Sequence, residues 1–248
     1  MEIINHIFDS KALGCSTSFN VLIPSNTSID NSFGTLYLLH GAYGNENDWL
    51  NCSTIKELSI KHNLIFVFPR GEQSYYTNAL NGPQYEDFIS KELKIFIENT
   101  YNVSKNRENT YIAGLSMGGY GALKIALNNK DKYSLVGSFS GVVDIAKIAP
   151  QRDNSVFRFD LTFGDISKLK GSKHDLFKLS YDSFKDKKYD LDIFISCGTE
   201  DHLYTDNLRF KYHLSSTGYD FIYSESPGVH DWIYWNKAIT EFLNLIKK

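Results

Sequence analysis

Residues 110–128, which read TYIAGLSMGGYGALKIALN, decide the fold of this chain. The apolar start predicts a strand over Thr110–Ala113, and the run through Asn128 is compatible with a helix. Between them GLSMG matches the pattern G-x-S-x-G, which gains meaning when it joins a strand to a helix. The turn is so sharp that the residues two before and two after the serine must lack a Cβ, and both are glycine. Ser116 is therefore predicted to be a nucleophile at the carboxyl end of a strand.

Short apolar runs on both sides of this stretch alternate with segments of helical period, which predicts a parallel sheet covered by helices. The continuous apolar runs are typical of strands buried on both faces, and the first two strands are expected to form an antiparallel edge. The predicted strands are 3–8, 18–24, 35–40, 64–69, 110–113, 135–139, 191–196 and 220–223. Helices are predicted over 84–100 and 232–246. We expect an α/β protein in which residues 1–248 form one domain of α/β-hydrolase fold.

One segment does not follow the alternation of strands and helices. Residues 144–189 are polar and aromatic by turns, with helix-prone pieces and no clear strand. A connection of this length between two strands is longer than normal. We therefore predict a small cap insertion at 144–189 that passes over the edge of the sheet.

Composition excludes several classes of partner. The formal net charge is −3 with no basic stripe, so no nucleic acid is expected to bind. No stretch reaches the length of an apolar membrane span, and the first residues lack the pattern of a signal peptide. Cys15, Cys52 and Cys197 fit no zinc pattern and are expected to be free thiols in the cytoplasm. Neither a metal site nor a cofactor is predicted, and the sequence leaves a homo-oligomer open.

The partners of a serine nucleophile in this fold follow it in the order acid, then histidine. His230 lies in a loop after the last predicted strand and before the last helix, where a base can reach across the sheet edge. His202 adjoins the predicted acid and cannot easily turn back onto the serine. The remaining histidines either precede the serine or lie in the cap or a helical stretch: His6, His40, His62, His174 and His213. His230 is the predicted general base.

The acid is expected directly after the strand at 191–196, which runs into the turn CGTEDH at 197–202. Asp201 is favoured because turns of the form G-x-x-D direct the fourth residue inward, and Glu200 stays open as the alternative. A carboxylate at this place would fix the tautomer of the histidine and stabilise the imidazolium.

An oxyanion hole is predicted from main-chain N–H groups. Residues 38–44, LLHGAYG, close another central strand, and a His-Gly turn can present an N–H to a tetrahedral intermediate. Ala42 supplies one N–H and Met117, the residue after the nucleophile, supplies the other. Tyr43 is the alternative in the first loop, and His40 is expected to be structural.

Aromatic residues are expected to line the substrate pocket. Trp49, Tyr75 and Tyr76 follow predicted strand ends, and Phe163 lies in the cap with Phe157 and Phe159. An aromatic rim of this kind can receive an acyl chain or an aromatic or sugar alcohol. The predicted partner is therefore a small-molecule ester, and the pocket residues are Trp49, Tyr75, Tyr76 and Phe163.

Five motifs together resemble the bacterial tributyrin esterases, which belong to the esterase D group with S-formylglutathione hydrolases, family 1 carbohydrate esterases and mycolyltransferases. The motifs span nearly the whole chain, at 38–50, 114–122, 163–165, 197–201 and 230–232. The resemblance implies an intracellular carboxylesterase for short acyl chains that uses a Ser-His-Asp triad and no cofactor. The loop 39–44, LHGAYG, departs from the Leu-Ser-Gly-Leu-Thr-Cys of S-formylglutathione hydrolases, which argues against a glutathione thioester as substrate.

Three other functions stay open beside a short-chain serine carboxylesterase. A feruloyl or acetylated-carbohydrate esterase would use the same site with a different alcohol pocket. An acyltransferase would need a dry site in which an alcohol outcompetes water. A non-catalytic binding protein on a hydrolase scaffold would need a broken triad, and Ser116, Asp201 and His230 are all present.

Overall fold

The computed structural model describes residues 1–25 and 32–246, which form a single eight-stranded sheet. The strand order is β1-β2-β4-β3-β5-β6-β7-β8, with β3 to β8 parallel and with β1 and β2 antiparallel at one edge. The mostly parallel sheet with an antiparallel edge is confirmed. The strands are β1 Glu2–Ser10, β2 Cys15–Ile23, β3 Gly34–Leu39, β4 Leu64–Pro69, β5 Thr110–Leu115, β6 Leu135–Phe139, β7 Asp192–Gly198 and β8 Phe221–Ser226.

Helices connect the parallel strands and cover both faces of the sheet. They are α1 Asp48–Cys52, α2 Ile55–Ser59, α3 Tyr85–Asp87, α4 Lys94–Thr100, α5 Met117–Asn128, α6 Ile145–Ile148, α7 Asn154–Phe157, α8 Phe159–Phe163, α9 Leu176–Lys185, α10 Tyr204–Thr217 and α11 Trp232–Leu243. The helix predicted over 84–100 is present, and a π-helical turn at Phe88–Leu93 joins α3 to α4. In the described residues, none of the helices is long and apolar enough to cross a membrane.

The core has two layers because side chains alternate across each central strand. In β3, Tyr37 and Leu39 belong to the larger cluster, which packs under α5, α9 and α10. Leu36 and Leu38 point to the other face and pack with residues of α1 and α11. Both faces of the sheet are therefore covered, and the carboxyl ends of the parallel strands lie together at one open edge.

The segment predicted as a cap divides into two parts. Residues 145–168 form short helices and 3-10 turns, and Phe157, Phe159 and Phe163 within it are buried. The second part contains α9, which packs against α5 and α10 as an ordinary crossover helix beside the sheet. The predicted cap over 144–189 therefore includes the short helices at 145–168 and the regular helix α9, which packs beside α5 and α10.

Candidate active site

Ser116 lies at the sharp turn between β5 and α5. Its backbone takes the positive φ of 53° and a ψ of −117°, a conformation that costs energy and is typical of functional sites. The turn is held by a hydrogen bond from the Ser116 N–H to the Phe139 carbonyl at 2.9 Å. A Cβ on Gly114 would lie 2.4 Å from the Gly118 carbonyl oxygen, so the two glycines are required by the close approach of strand and helix.

The structure brings Ser116, His230 and Asp201 together from three strand ends. The Ser116 Oγ lies 2.9 Å from Nε2 of His230, and Nδ1 of the same ring lies 2.8 Å from Oδ2 of Asp201. A carboxylate accepts hydrogen bonds, so Nδ1 carries the proton and donates a hydrogen bond to Asp201. Nε2 then has a free lone pair directed at the serine hydroxyl, which donates to it.

Asp201 is held as an ionised carboxylate in a buried position. Its side chain is 0% exposed, and the Leu203 N–H donates to its Oδ1 at 2.8 Å. Burial raises the pKa of the Asp201 carboxyl. The hydrogen bond and the charge of His230, together with the Leu203 N–H, lower it by more, so the pKa lies below its ordinary value. The carboxylate therefore stays charged where it can stabilise a protonated His230.

Glu200, the alternative acid, has a different place. Its carboxylate accepts from the Gly228 N–H and from the Thr199 hydroxyl, and its own N–H donates to the Gly228 carbonyl at 3.1 Å. Glu200 therefore ties the turn after β7 to the loop that carries His230. The structure brings Asp201, and not Glu200, into contact with the imidazole.

Two further rings contact His230, those of Trp235 and of His202, the histidine that adjoins the acid. Trp235, on the first turns of α11, lies edge to face at 5.0 Å between ring centroids. His202 lies at 4.6 Å, with its Nδ1 3.5 Å from Oδ1 of Asp201. Burial and the nearby His230 lower the pKa of His202. The contact of Trp235 with His230 could have been found from the sequence. Trp235 follows the histidine by five residues, and a helix that begins directly after a loop packs its first turns against that loop.

The loop after β3 lies against the serine. A Cβ on Gly41 would come 3.4 Å from the Ser116 Cβ. In the described residues, the N–H groups of Ala42 and Met117 donate to no protein acceptor. His40 is buried, and its ring joins two loops. Its Nδ1 donates to the Gly41 carbonyl at 2.7 Å, and its Nε2 accepts from the Gly71 N–H at 2.9 Å. This is the structural role expected for His40.

The predicted aromatic pocket needs correction. Trp49 is 1% exposed and donates through its indole N–H to the Leu39 carbonyl at 3.1 Å, so it belongs to the core. Tyr76 is fully buried, and its hydroxyl donates to the His40 carbonyl at 3.1 Å. Tyr75 and Phe163 are also buried, and their rings pack on each other with 6.1 Å between centroids. Trp49 and Tyr76 therefore do not line an open pocket, because each fills space beneath a loop.

A cavity of about 260 Å³ lies between the loop 72–85 and the cap, and Phe157 is the one aromatic residue of the predicted rim among its walls. Its apolar walls come from Thr77, Val156, Phe157 and Leu161. Phe157 also contacts the exposed ring of Tyr43, next to Ala42, at 5.4 Å. A larger cavity of about 740 Å³ opens at the amino ends of the strands, at the edge away from Ser116. Ligands of such sheets bind at the carboxyl ends, which favours the smaller cavity.

The arrangement has the chemical capacity for acyl transfer. A hydroxyl on a strained turn faces the free nitrogen of an imidazole, and a buried carboxylate holds the other nitrogen. Ser116 directly precedes α5, and the amino end of a helix favours negative charge. Fold and geometry together define a serine hydrolase of the α/β-hydrolase class.

Comparison with known proteins identifies the family. The sequence matches the esterase family model described as "Putative esterase" over residues 10–246. It is 32% identical to an acetyl esterase of Caldicellulosiruptor saccharolyticus, with 100% of this chain and 99% of that protein covered. The chain belongs to this esterase family and is a serine hydrolase of carboxylic esters.

Solved structures agree with this assignment. FphF, a fluorophosphonate-binding serine hydrolase of Staphylococcus aureus solved with substrate bound, is 29% identical with a TM-score of 0.93, covering 100% of this chain and 99% of that one. The S-formylglutathione hydrolase FrmB of Staphylococcus aureus is 30% identical with a TM-score of 0.90, covering 99% and 98%. Both share the fold over their full length.

Proposed function

We propose that the protein hydrolyses short-chain carboxylic esters, with Ser116 as nucleophile, His230 as general base and Asp201 as the acid that orients the base. Two hydrogen bonds carry the proposal: Ser116 Oγ lies 2.9 Å from His230, and His230 lies 2.8 Å from Asp201. Such a series activates a hydroxyl because the imidazole takes its proton as the oxygen attacks.

The reaction follows from these contacts in two halves. Ser116 Oγ attacks the ester carbonyl while its proton passes to Nε2 of His230, and the resulting imidazolium gives that proton to the leaving alcohol. Water then attacks the acyl-enzyme as His230 again takes a proton, and the imidazolium returns this proton to Ser116 Oγ as the bond from the acyl group to the serine breaks and the acid leaves. The oxyanion of each tetrahedral intermediate accepts from the N–H groups of Ala42 and Met117. Asp201 stays ionised throughout and stabilises the imidazolium.

We propose acetyl to butyryl esters, tributyrin among them, as the substrates. The cavity of about 260 Å³ beside Tyr43 is at the small end for ligand pockets, which typically measure about 300–1,000 Å³. The buried rings of Tyr75, Phe157 and Phe159 fill the space under the cap and leave little room for a long chain. The related acetyl esterase supports the short end of this acyl range.

The experiment compares wild type, Ser116→Ala and Ser134→Ala on nitrophenyl acetate, butyrate and octanoate. Ser134 lies at the amino edge of the sheet, where its hydroxyl donates to the Glu108 carbonyl, so its variant controls for loss of a serine. We expect Ser116→Ala to stay folded and to lose at least about 10³-fold in kcat/KM. Octanoate should be the poorest substrate of the wild type. Turnover by Ser116→Ala close to that of Ser134→Ala would contradict the proposal.

We further propose that the enzyme works in the cytoplasm. Its three cysteines are free thiols, with Cys15 and Cys52 exposed and Cys197 buried. Exposed free thiols persist in reducing compartments, because oxidising compartments convert them into disulfides. Cell fractionation should recover the esterase activity with cytoplasmic marker enzymes, and recovery in the secreted fraction would contradict this location.

A further inference from the structure

Two imidazoles share one carboxylate beside the serine. Nδ1 of His230 lies 2.8 Å from Oδ2 of Asp201, and Nδ1 of His202 lies 3.5 Å from Oδ1 of the same group. The two rings lie 4.6 Å apart between centroids. In the proposed reaction only His230 has a task. His202 is therefore a second nitrogen ligand next to the acid with no role in the hydrolysis.

The spacing of these donors suits a tetrahedral metal ion. One nitrogen of each ring and one oxygen of Asp201 lie within 4.8 Å of one another. Around zinc with bonds of about 2.0–2.1 Å, tetrahedral ligand atoms are separated by roughly 3.3 Å. The two distances of 2.8 and 3.5 Å lie on either side of that separation, so small side-chain rotations bring the donors to zinc. Two imidazoles and a carboxylate form a donor set that binds zinc in preference to magnesium or calcium.

An ion can reach the cluster from solvent through His202. The side chain of His202 is 55% exposed, whereas that of His230 is 21% exposed and that of Asp201 is buried. His202 therefore offers the first ligand to an ion from solvent. Rotation of its ring then delivers the ion to the carboxylate behind it.

We propose that Asp201, His202 and His230 form an inhibitory site for zinc. The ion binds Nδ1 of His230, and the proton of that nitrogen moves to Nε2, so the ring stays neutral and no proton is lost. Nε2 then carries a hydrogen and donates to Ser116 Oγ instead of accepting from it. The serine cannot be deprotonated, and hydrolysis stops until the metal leaves. The loss of activity rests on the proposed function of His230, whereas the binding of zinc does not.

Calorimetric titration with zinc chloride tests the site on the full chain. We expect one zinc ion per chain for the wild type and for Ser116→Ala, and no heat from magnesium chloride. His202→Leu removes the exposed ligand and should weaken zinc binding by at least about tenfold. His213→Leu is the control for loss of a histidine, because His213 is half-buried and packs on Phe177, away from Ser116, and its variant should leave zinc binding unchanged.

Activity measurements complete the test. Zinc should abolish the hydrolysis of nitrophenyl acetate by the wild type in step with occupancy, and EDTA should restore it. Relative to its own metal-free rate, His202→Leu should need at least about tenfold more zinc for the same inhibition. Equal zinc binding by wild type and His202→Leu overturns the site, as does binding that disappears with Cys15→Ser and Cys52→Ser. A wild type that binds zinc but has no esterase activity would refute the proposed function and leave the site standing.

Discussion

Substitution of Gly118 by alanine tests whether the turn at the serine depends on a missing Cβ. The new Cβ would lie 2.4 Å from the Leu39 carbonyl oxygen and 2.7 Å from that of His40, where ordinary contact begins at 3.4 Å. Both neighbours are backbone atoms of β3 and its loop, so they cannot rotate away. The start of α5 must therefore retreat by roughly 1 Å, and overpacking of this kind costs about 1–3 kcal/mol of the free energy of unfolding.

The same displacement should also reduce activity. The first N–H groups of α5 include that of Met117, and Ser116 precedes them directly. A misplacement of about 1 Å in a catalytic group costs about 10²-fold in rate, so we expect kcat/KM on nitrophenyl acetate to fall about 100-fold in Gly118→Ala.

Urea unfolding should be measured beside Gly82→Ala, and kcat/KM beside wild type, because Gly82 lines the cavity of about 260 Å³. A Cβ at Gly82 would meet only the Ala79 Cβ at 3.5 Å, an ordinary contact, so this variant should stay within about 0.5 kcal/mol of wild type. The reasoning would be refuted by a Gly118→Ala protein that unfolds at the same urea concentration as Gly82→Ala and keeps its activity.

Three further predictions follow from buried charges. Asp201→Asn should stay folded but lose about 10⁴-fold in kcat, measured on nitrophenyl acetate, because an amide in place of the carboxylate leaves His230 in the wrong tautomer. Glu86→Gln should cost about 3 kcal/mol in urea unfolding, because it leaves the buried ammonium of Lys124 unpaired, whereas Glu86→Leu with Lys124→Met should cost much less. Burial first, and then the nearby lysines, lower the pKa of His174 from 6.5 to about 4, so between these pH values the unfolded chain binds more protons than the folded one. Stability from this residue is complete above pH 6.5 and is lost toward pH 4, by about 2 kcal/mol after allowance for solvent screening, and His174→Phe should show a smaller loss of unfolding free energy over that range.

The sheet and the reacting groups could be predicted because their determinants are local. A run such as Leu64–Pro69 is apolar at every position, and this alone indicates a strand buried on both faces. Parallel strands end at one edge, so side chains directly after β5, β7 and β8 must come close to each other. The distance of Ser116 from His230 along the chain is therefore no obstacle to the prediction.

The pocket could not be predicted because loop side chains take their direction from tertiary packing. Tyr75 and Tyr76 both have positive φ, near 50°, which no propensity indicates for two adjacent tyrosines. Tyr76 then lies beneath the loop where a Cβ on Gly71 or Gly121 would collide with its ring. The same aromatic residue type can line a cleft or fill a gap. Here Gly71 and Gly121, which lie apart from Tyr76 in the chain, leave the space that its ring fills.

The carboxylate of Asp201 connects the proposed catalysis with the proposed inhibition. Its Oδ2 accepts from His230, while its Oδ1 accepts from the Leu203 N–H and faces His202. The N–H of Leu203 fixes the plane of the group, so the oxygen that orients His230 is held in place whether or not His202 is present. The two oxygens therefore have separate tasks, and His202 can be replaced to remove the metal site while the contact that orients the base remains.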